Sequence, residues 1–167
     1  ALLFLGLEFL KNSMPDLQSS PEALAFLSKY TGMGYGSILI FLLIGSVLTL
    51  IVQSSSAMVA ITLVMCAQGW IPFHIGAAMI LGENIGTTIT ANLAALSANT
   101  TAKRAAFSHL LFNVLGVIWV LILFYPVTNL VASMVVSGGG ADPRELYDYI
   151  GSLGSQFSSD QISMMTN

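Results

Sequence analysis

Charged side chains are scarce in this chain. Lys, Arg, Asp and Glu together make up 8% of its 167 residues, and the formal net charge is −3. Soluble domains typically carry about 25% charged residues, which keep their surface hydrated. Because 55% of the residues are also hydrophobic and the mean hydropathy is +0.82, the composition predicts an integral membrane protein.

Other absences exclude whole classes of function. Five Lys and Arg residues cannot form the basic surface that neutralises nucleic-acid phosphates, so nucleic acid is excluded as a partner. The single Cys66 lies in an apolar run and is interpreted as a buried, unreactive thiol. His74 has no second ligand at metal-binding spacing and is interpreted as an interfacial or core imidazole. Without a catalytic set or a nucleotide loop, the chain is predicted to be no enzyme and to have no cofactor.

Four polar residues, Gln53-Ser54-Ser55-Ser56, interrupt an apolar run from Ile38 to Ala67. An unpaired amide or hydroxyl at bilayer depth costs roughly several kcal/mol, so these side chains must find partners. The apolar legs on either side would extend about 24 Å and about 17 Å as helices, and neither comfortably spans a core of about 30 Å. The pattern favours a re-entrant helical hairpin over residues 37–68 with the polar residues at its tip. One strongly tilted helix is the alternative.

A second polar interruption, residues 82–88, begins about 15 Å beyond Pro72 and therefore near the bilayer midplane. We interpret it as the unwound centre of a discontinuous transmembrane helix over residues 69–97. Close helix packing through Gly82 and Gly86 is the alternative, but it leaves Glu83 and Asn84 unexplained. An ionisable residue within a membrane is by default a candidate functional residue, so Glu83 is predicted to support a site or an ion path.

The remaining segments frame these two interruptions. Residues 1–12 are interpreted as the end of a truncated transmembrane helix, which favours a fragment of a longer protein, and residues 13–36 as an interfacial helix and loop. Residues 103–136 are predicted to form one transmembrane helix with a kink near Pro126. Its polar residues His109 and Asn113 either bond neighbouring helices or line a cavity, and Asn113 is a supporting candidate. Residues 137–167 are predicted to form a polar linker or tail that can include a short helix through Tyr147 to Ile150.

Two polar interruptions in apolar segments suit a particular chemistry. Helix N-termini and exposed backbone amides favour an anion, whereas carbonyl, Ser and Thr oxygens suit a hard cation such as Na⁺. Together they predict cation-coupled anion transport. The alternative is a structural, self-associating membrane module in which the glycines and hydroxyls serve as packing contacts.

The order of the motifs resembles a known family. Gln53-Ser54-Ser55-Ser56, then residues 82–88, then Arg104-Ala105-Ala106-Phe107 with His109 to Asn113 are similar to the bacterial sodium-phosphate cotransporter family, which is related to the animal type II carriers. The similarity covers roughly residues 36–120. It implies a sodium-coupled phosphate symporter of the bacterial inner (cell) membrane, built from two inverted-topology repeats that each contain a re-entrant hairpin.

The resemblance also implies which residues bind the ligands. Phosphate or Na⁺ would contact Gln53, Ser54, Ser55 and Ser56, and the pocket would be completed by Asn84, Thr87 and Thr88. Na⁺ itself would lie at Ser55, Ser56, Thr87 and Thr88. Only one copy of each motif is present, because residues 156–159 lie in a polar tail. We therefore expect this chain to be the first repeat, which supplies half of the site and completes it with a second repeat of a parent chain or with a second copy of itself.

Overall fold

The regular structure of the chain is helical. The computed structural model describes residues 29–154 together with residues 5, 6 and 9, and this part contains no β-strand. The all-α class is therefore confirmed. Most of the predicted helix end at 1–12, most of the interfacial segment 13–36 and the end of the 137–167 tail lie outside the described residues. The main helices are Tyr35–Val52 (α1), Ser55–Ala67 (α2), Phe73–Ala95 (α3), Thr100–Ile122 (α4), Phe124–Ser137 (α5) and Leu146–Gly154 (α6).

Two of these helices, α1 and α4, are long and apolar enough to cross a membrane. They have 18 and 23 residues and mean hydropathies of 2.4 and 2.1. On α4 large apolar side chains point outward, including Phe112 and Trp119, which are 77% and 66% exposed. A soluble protein rarely leaves so large an apolar surface in water, whereas lipid accommodates it. These helices fit a membrane protein.

The first two helices run in opposite directions. Buried residues at the start of α1, Ile38 and Phe41, share a core with Ile75 at the start of α3. α2 runs back along α3, because Thr62 bonds to Glu83 and the later Cys66 lies beside Gly76. α1 and α2 are therefore the legs of a helical hairpin, and both of its outer ends lie near the start of α3.

Glycines let α1 and α3 approach each other closely. Gly82 lies against the Leu42 carbonyl group, and a Cβ at Gly86 would lie 2.6 Å from the Ser46 carbonyl oxygen. The Ser46 hydroxyl donates to the Gly82 carbonyl at 2.8 Å and so links the two helices. Small residues and interhelical hydrogen bonds of this kind hold helices together in lipid, where no hydrophobic effect drives their association.

The structure corrects the predicted break at residues 82–88, because α3 is continuous from Phe73 to Ala95. Gly82 and Gly86 face α1 at the close contact, so they permit packing rather than unwinding. The hydroxyl of Thr87 donates to the Glu83 carbonyl at 2.9 Å, and that of Thr88 to the Ile85 carbonyl at 2.7 Å. These hydroxyls are satisfied within the helix itself, which is why the polar residues do not interrupt it.

The helix predicted over residues 103–136 with a kink near Pro126 is divided into two helices, and the break lies three residues before that proline. α4 ends at Ile122 and α5 begins at Phe124, with Leu123 at φ −102° and ψ 21° between them. Pro126 explains the position of this break. In a continuous helix its ring would clash with the Ile122 carbonyl, and it has no N–H to donate. Tyr125 packs edge-on against Tyr35 with ring centroids 5.0 Å apart, so the break lies beside the start of α1.

The segment predicted as a polar linker or tail contains α6, which covers the short helix expected through Tyr147 to Ile150. Ile150 is buried, and a Cβ at Gly69 would lie 2.8 Å from the Ile150 side chain. Gly69 has φ +68°, a conformation that favours glycine, in the turn between α2 and α3. The described part of the linker therefore packs onto that turn.

Candidate binding site at the hairpin tip

The candidate site begins at the two residues that separate α1 from α2. Gln53 ends α1 in the left-handed conformation (φ 57°, ψ 24°), and its N–H donates to the Thr49 carbonyl at 2.8 Å. Within the described residues it is the only non-glycine residue with positive φ. Ser54 is extended and caps α2 by accepting a hydrogen bond from the Ala57 N–H at 3.4 Å. The polar residues thus end one helix and begin the next.

A cavity of about 260 Å³ lies at this tip. Every residue around it carries a hydroxyl or an amide: Thr49, Gln53, Ser54, Ser55, Ser56, Thr87 and Thr90. Thr49 is 1% exposed, and its hydroxyl oxygen is buried without a hydrogen-bond partner. An unsatisfied buried hydroxyl is unfavourable unless a ligand or water completes it, so the cavity is suited to a polar occupant.

The α3 hydroxyls in the cavity are oriented by their own helix. Thr87 donates to the Glu83 carbonyl, and Thr90 donates to the Thr87 carbonyl at 2.7 Å. Each hydroxyl proton is therefore used within α3, while oxygen lone pairs remain that can coordinate a cation. Because Gly82 and Gly86 bring α3 close to α1, these oxygens lie beside the hairpin tip.

The structure brings together five of the seven predicted binding residues, namely Gln53, Ser54, Ser55, Ser56 and Thr87. The other two do not line the cavity. Asn84 is exposed, and Thr88 is buried with its hydroxyl bonded to the Ile85 carbonyl. The supporting candidate Asn113 donates to the His109 carbonyl of its own helix at 3.0 Å.

Two cavity residues were not among the predicted binding residues. Thr49 lies one turn before Gln53 on α1, and Thr90 lies three residues after Thr87, on the same face of α3. The i, i+3 spacing of Thr87 and Thr90 was the signal that could have identified the second hydroxyl. The cavity lining contains no charged side chain, and the described residues hold no cluster of three His, Cys, Asp or Glu residues that could bind a metal ion.

The other supporting candidate, Glu83, contacts the opposite leg of the hairpin. One of its carboxyl oxygens accepts a hydrogen bond from the Thr62 hydroxyl of α2 at 2.7 Å. The residue is 1% exposed. Its side chain therefore ties α2 to α3, while its backbone carbonyl orients Thr87 in the cavity.

Comparison with known proteins identifies relatives whose names refer to phosphate transport. Over 129 residues, covering 77% of this chain, the sequence is 30% identical to the "Putative inorganic phosphate export protein YjbB" of Salmonella typhimurium. Over 90 residues, or 52% of this chain, it is 38% identical to the human "Sodium-dependent phosphate transport protein 2B". It is also 43% identical over 93 residues, or 56% of this chain, to the "Uncharacterized protein YqeW" of Bacillus subtilis.

These relatives are much longer than the matched regions. The alignments cover 23% of the Salmonella protein, 12% of the human protein and 30% of the Bacillus protein. No solved structure matches the chain. The model of one transporter family, the Na+/Pi-cotransporter family, matches residues 2–138, which is most of the sequence. The resemblance found in the motifs is thereby confirmed, and the chain belongs to the Na+/Pi-cotransporter family.

Proposed function

We propose that this chain supplies one half of the phosphate and Na⁺ site of a sodium-coupled phosphate symporter. The observation that carries the proposal is the polar cavity at the hairpin tip, where Gln53 to Ser56 meet the hydroxyls of α3. Membership of a phosphate cotransporter family supports the choice of ligands. Phosphate binds to the N–H groups at the hairpin tip, and Na⁺ binds to the hydroxyl oxygens around the cavity.

The start of α2 provides the anion-binding groups. Ser55 and Ser56 form its first turn, where backbone N–H groups have no carbonyl of the same helix to bond. The aligned peptide dipoles place partial positive charge at this end, which favours phosphate. Ser54 already caps the Ala57 N–H, so the N–H groups of Ser55 and Ser56 remain for the ligand. Gln53 adds an amide donor from the other side of the break.

The hydroxyl oxygens provide the cation-binding groups. Na⁺ is a hard cation that prefers oxygen ligands, and in broken-helix transporters it binds beside the substrate. Ser55, Ser56 and Thr87 lie around the cavity, with Thr49 as a fourth oxygen that has no partner. Thr88, predicted as a Na⁺ ligand, and Asn84, predicted to complete the pocket, do not line the cavity, and Thr49 and Thr90 take their places.

A second cavity competes as a phosphate site. It has a volume of about 450 Å³ and lies near the start of α3, where Arg144 and His74 contribute to its lining. Arg144 already makes hydrogen bonds of 2.6 to 3.1 Å to both carboxylate oxygens of Asp142. Because its guanidinium is paired, this cavity is the weaker candidate, and Arg144 offers a control for the binding experiment.

The proposal assigns only half a site to this chain. One motif of each type is present, and transporters of inverted-repeat design bind their substrate between two repeats. The second half comes from another repeat of a parent chain or from a second copy of this chain. In the bilayer, most simply the bacterial inner membrane, the α1–α2 hairpin is re-entrant, with its tip at the depth of the substrate.

Na⁺ is assigned as the coupling ion because the human relative is named as sodium-dependent. The Salmonella relative is named for phosphate export. Both names fit one alternating-access cycle, because the direction of net transport depends on the ion and phosphate gradients. The alternative, a self-associating module without transport, has less support, since Gly82 and Gly86 are used within the chain against α1.

Binding of labelled phosphate to the purified chain in lipid nanodiscs tests the proposal. We expect weak binding, with a Kd on the order of millimolar for half a site, that requires NaCl and is absent in choline chloride. Gln53→Ala and Ser55→Ala should abolish it. Gln68→Ala is the matched control, because Gln68 ends α2 at the other end of the same hairpin leg.

Two results would argue against this assignment. Equal binding in NaCl and choline chloride would remove the Na⁺ coupling. Binding that survives Gln53→Ala but is lost in Arg144→Gln would move the phosphate to the cavity near the start of α3.

A further inference from the structure

Glu83 is a buried acid that the proposed transport site does not use. It lies within α3 and is 1% exposed. Its Oε1 accepts a hydrogen bond from the Thr62 hydroxyl at 2.7 Å. Its Oε2 is buried and has no hydrogen-bond partner. One oxygen is therefore satisfied and the other is not.

No positive charge compensates this carboxyl group within the described part of the chain. The ion pair found there joins Arg144 to Asp142. The helices that pack on α3 carry few ionisable groups, and those of α4 are exposed. They are Tyr35 on α1, Cys66 on α2, Tyr125 on α5, and Lys103, Arg104 and His109 on α4, together with His74 on α3 itself. An unpaired carboxylate buried among helices costs several kcal/mol, roughly, so Glu83 requires a cation of some kind.

The size of the coordination shell distinguishes the possible cations. A metal ion with oxygen ligands takes about six of them, whereas one Thr hydroxyl is bonded to Glu83. A proton needs only one carboxyl oxygen, and Oε2 is the oxygen without a partner.

We propose that Glu83 is a proton-binding site, which carries its proton on Oε2 at neutral pH while the Thr62 hydroxyl bonds to Oε1. The neutral carboxyl group is the form that α2 and α3 can bury between them. The site lies one helical turn before Thr87, whose hydroxyl bonds to the Glu83 carbonyl. The inference does not depend on phosphate transport.

Infrared spectroscopy of the chain in nanodiscs at neutral pH detects the proton directly. A protonated carboxyl group absorbs at a higher frequency than a carboxylate, and exposed acids are ionised under these conditions. We expect one protonated carboxyl band in the wild-type chain, which Glu83→Gln removes. Glu145→Gln is the matched control, since Glu145 is exposed, and it should leave the band unchanged.

Thr62→Val provides a second readout that keeps Glu83 in place. Loss of the hydrogen bond to Oε1 should shift the band to higher frequency without removing it, while Thr62→Ser should restore the original position. The proposal is overturned if the wild-type chain shows no protonated carboxyl band. It is equally overturned if the band remains in Glu83→Gln or fails to move in Thr62→Val.

Discussion

Gly86 lies where α3 approaches the end of α1, and its replacement by Ala is expected to force the two helices apart. A Cβ at this position would lie 2.6 Å from the Ser46 carbonyl oxygen and 2.9 Å from the Thr49 Cβ. Ordinary contact begins at 3.4 Å, so the backbones must separate by about 0.8 Å, the difference between 3.4 and 2.6 Å. The carbonyl oxygen belongs to the α1 backbone and cannot rotate away.

Overpacking of this kind typically costs about 1–3 kcal/mol. The same substitution also stabilises a helix by about 1 kcal/mol, because Ala has the higher helix propensity. Gly116→Ala isolates the packing effect, since Gly116 is exposed on α4 and a Cβ there meets nothing within 4 Å. We therefore expect Gly86→Ala to be about 1–3 kcal/mol less stable than Gly116→Ala.

Unfolding by SDS in mixed micelles, followed by tryptophan fluorescence, measures this difference. Trp70 lies in the turn before α3 and Trp119 lies on α4, so both report on the helices concerned. If the two glycine variants unfold with the same free energy, within about 0.5 kcal/mol, the close contact between α1 and α3 is refuted.

Three other predictions concern α4, α5 and transport. Asn92→Leu should destabilise the chain by about 1 kcal/mol, because Asn92 donates a hydrogen bond to the Ala106 carbonyl of α4. The same SDS titration measures this loss. Asn113→Leu is the control and should be nearly neutral, because it loses only a hydrogen bond within its own helix. Pro126→Ala should join α4 and α5 into one helix. Electron paramagnetic resonance should then show a longer distance between a spin label on α4 and one on α5 than in the wild-type chain. The monomeric chain in proteoliposomes should show no Na⁺-driven uptake of labelled phosphate, and uptake would contradict the assignment of half a site.

The position of the break between α1 and α2 could be predicted from the sequence. Four consecutive polar residues in an apolar run have few ways to be satisfied, and Ser54 has a strong preference for capping a helix. The consequence is local, since Gln53 and Ser54 end one helix and start the next within two residues. The predicted membrane topology of the hairpin remains a proposal.

The form of α3 could not be predicted in the same way. Gly82 and Gly86 are compatible with an unwound helix or with close packing, and the choice depends on whether another backbone lies beside them. In this fold α1 does, at Leu42 and Ser46. The partner comes from a segment about forty residues earlier, which the local pattern does not reveal.

The residues that line the cavity were predicted only in part, for a similar reason. Thr87 and Thr88 are neighbours in sequence, but successive helix residues point in directions that differ by about 100°. The crossing of α1 over α3 decides which hydroxyl meets the hairpin tip, and it selects Thr87 and Thr90. The bond between Thr62 and Glu83 joins residues 21 positions apart on different helices, so no periodicity within one helix indicates it.

We propose that phosphate binds at the start of α2 in the hairpin-tip cavity. Solid-state NMR can measure the distance between the phosphate phosphorus and the labelled backbone nitrogens of Ser55 and Ser56, in membranes that contain Na⁺. Direct hydrogen bonding predicts short distances to these two nitrogens, and their loss when choline replaces Na⁺. Bound phosphate that shows no proximity to either nitrogen, in particular phosphate found near Arg144 instead, would contradict the account.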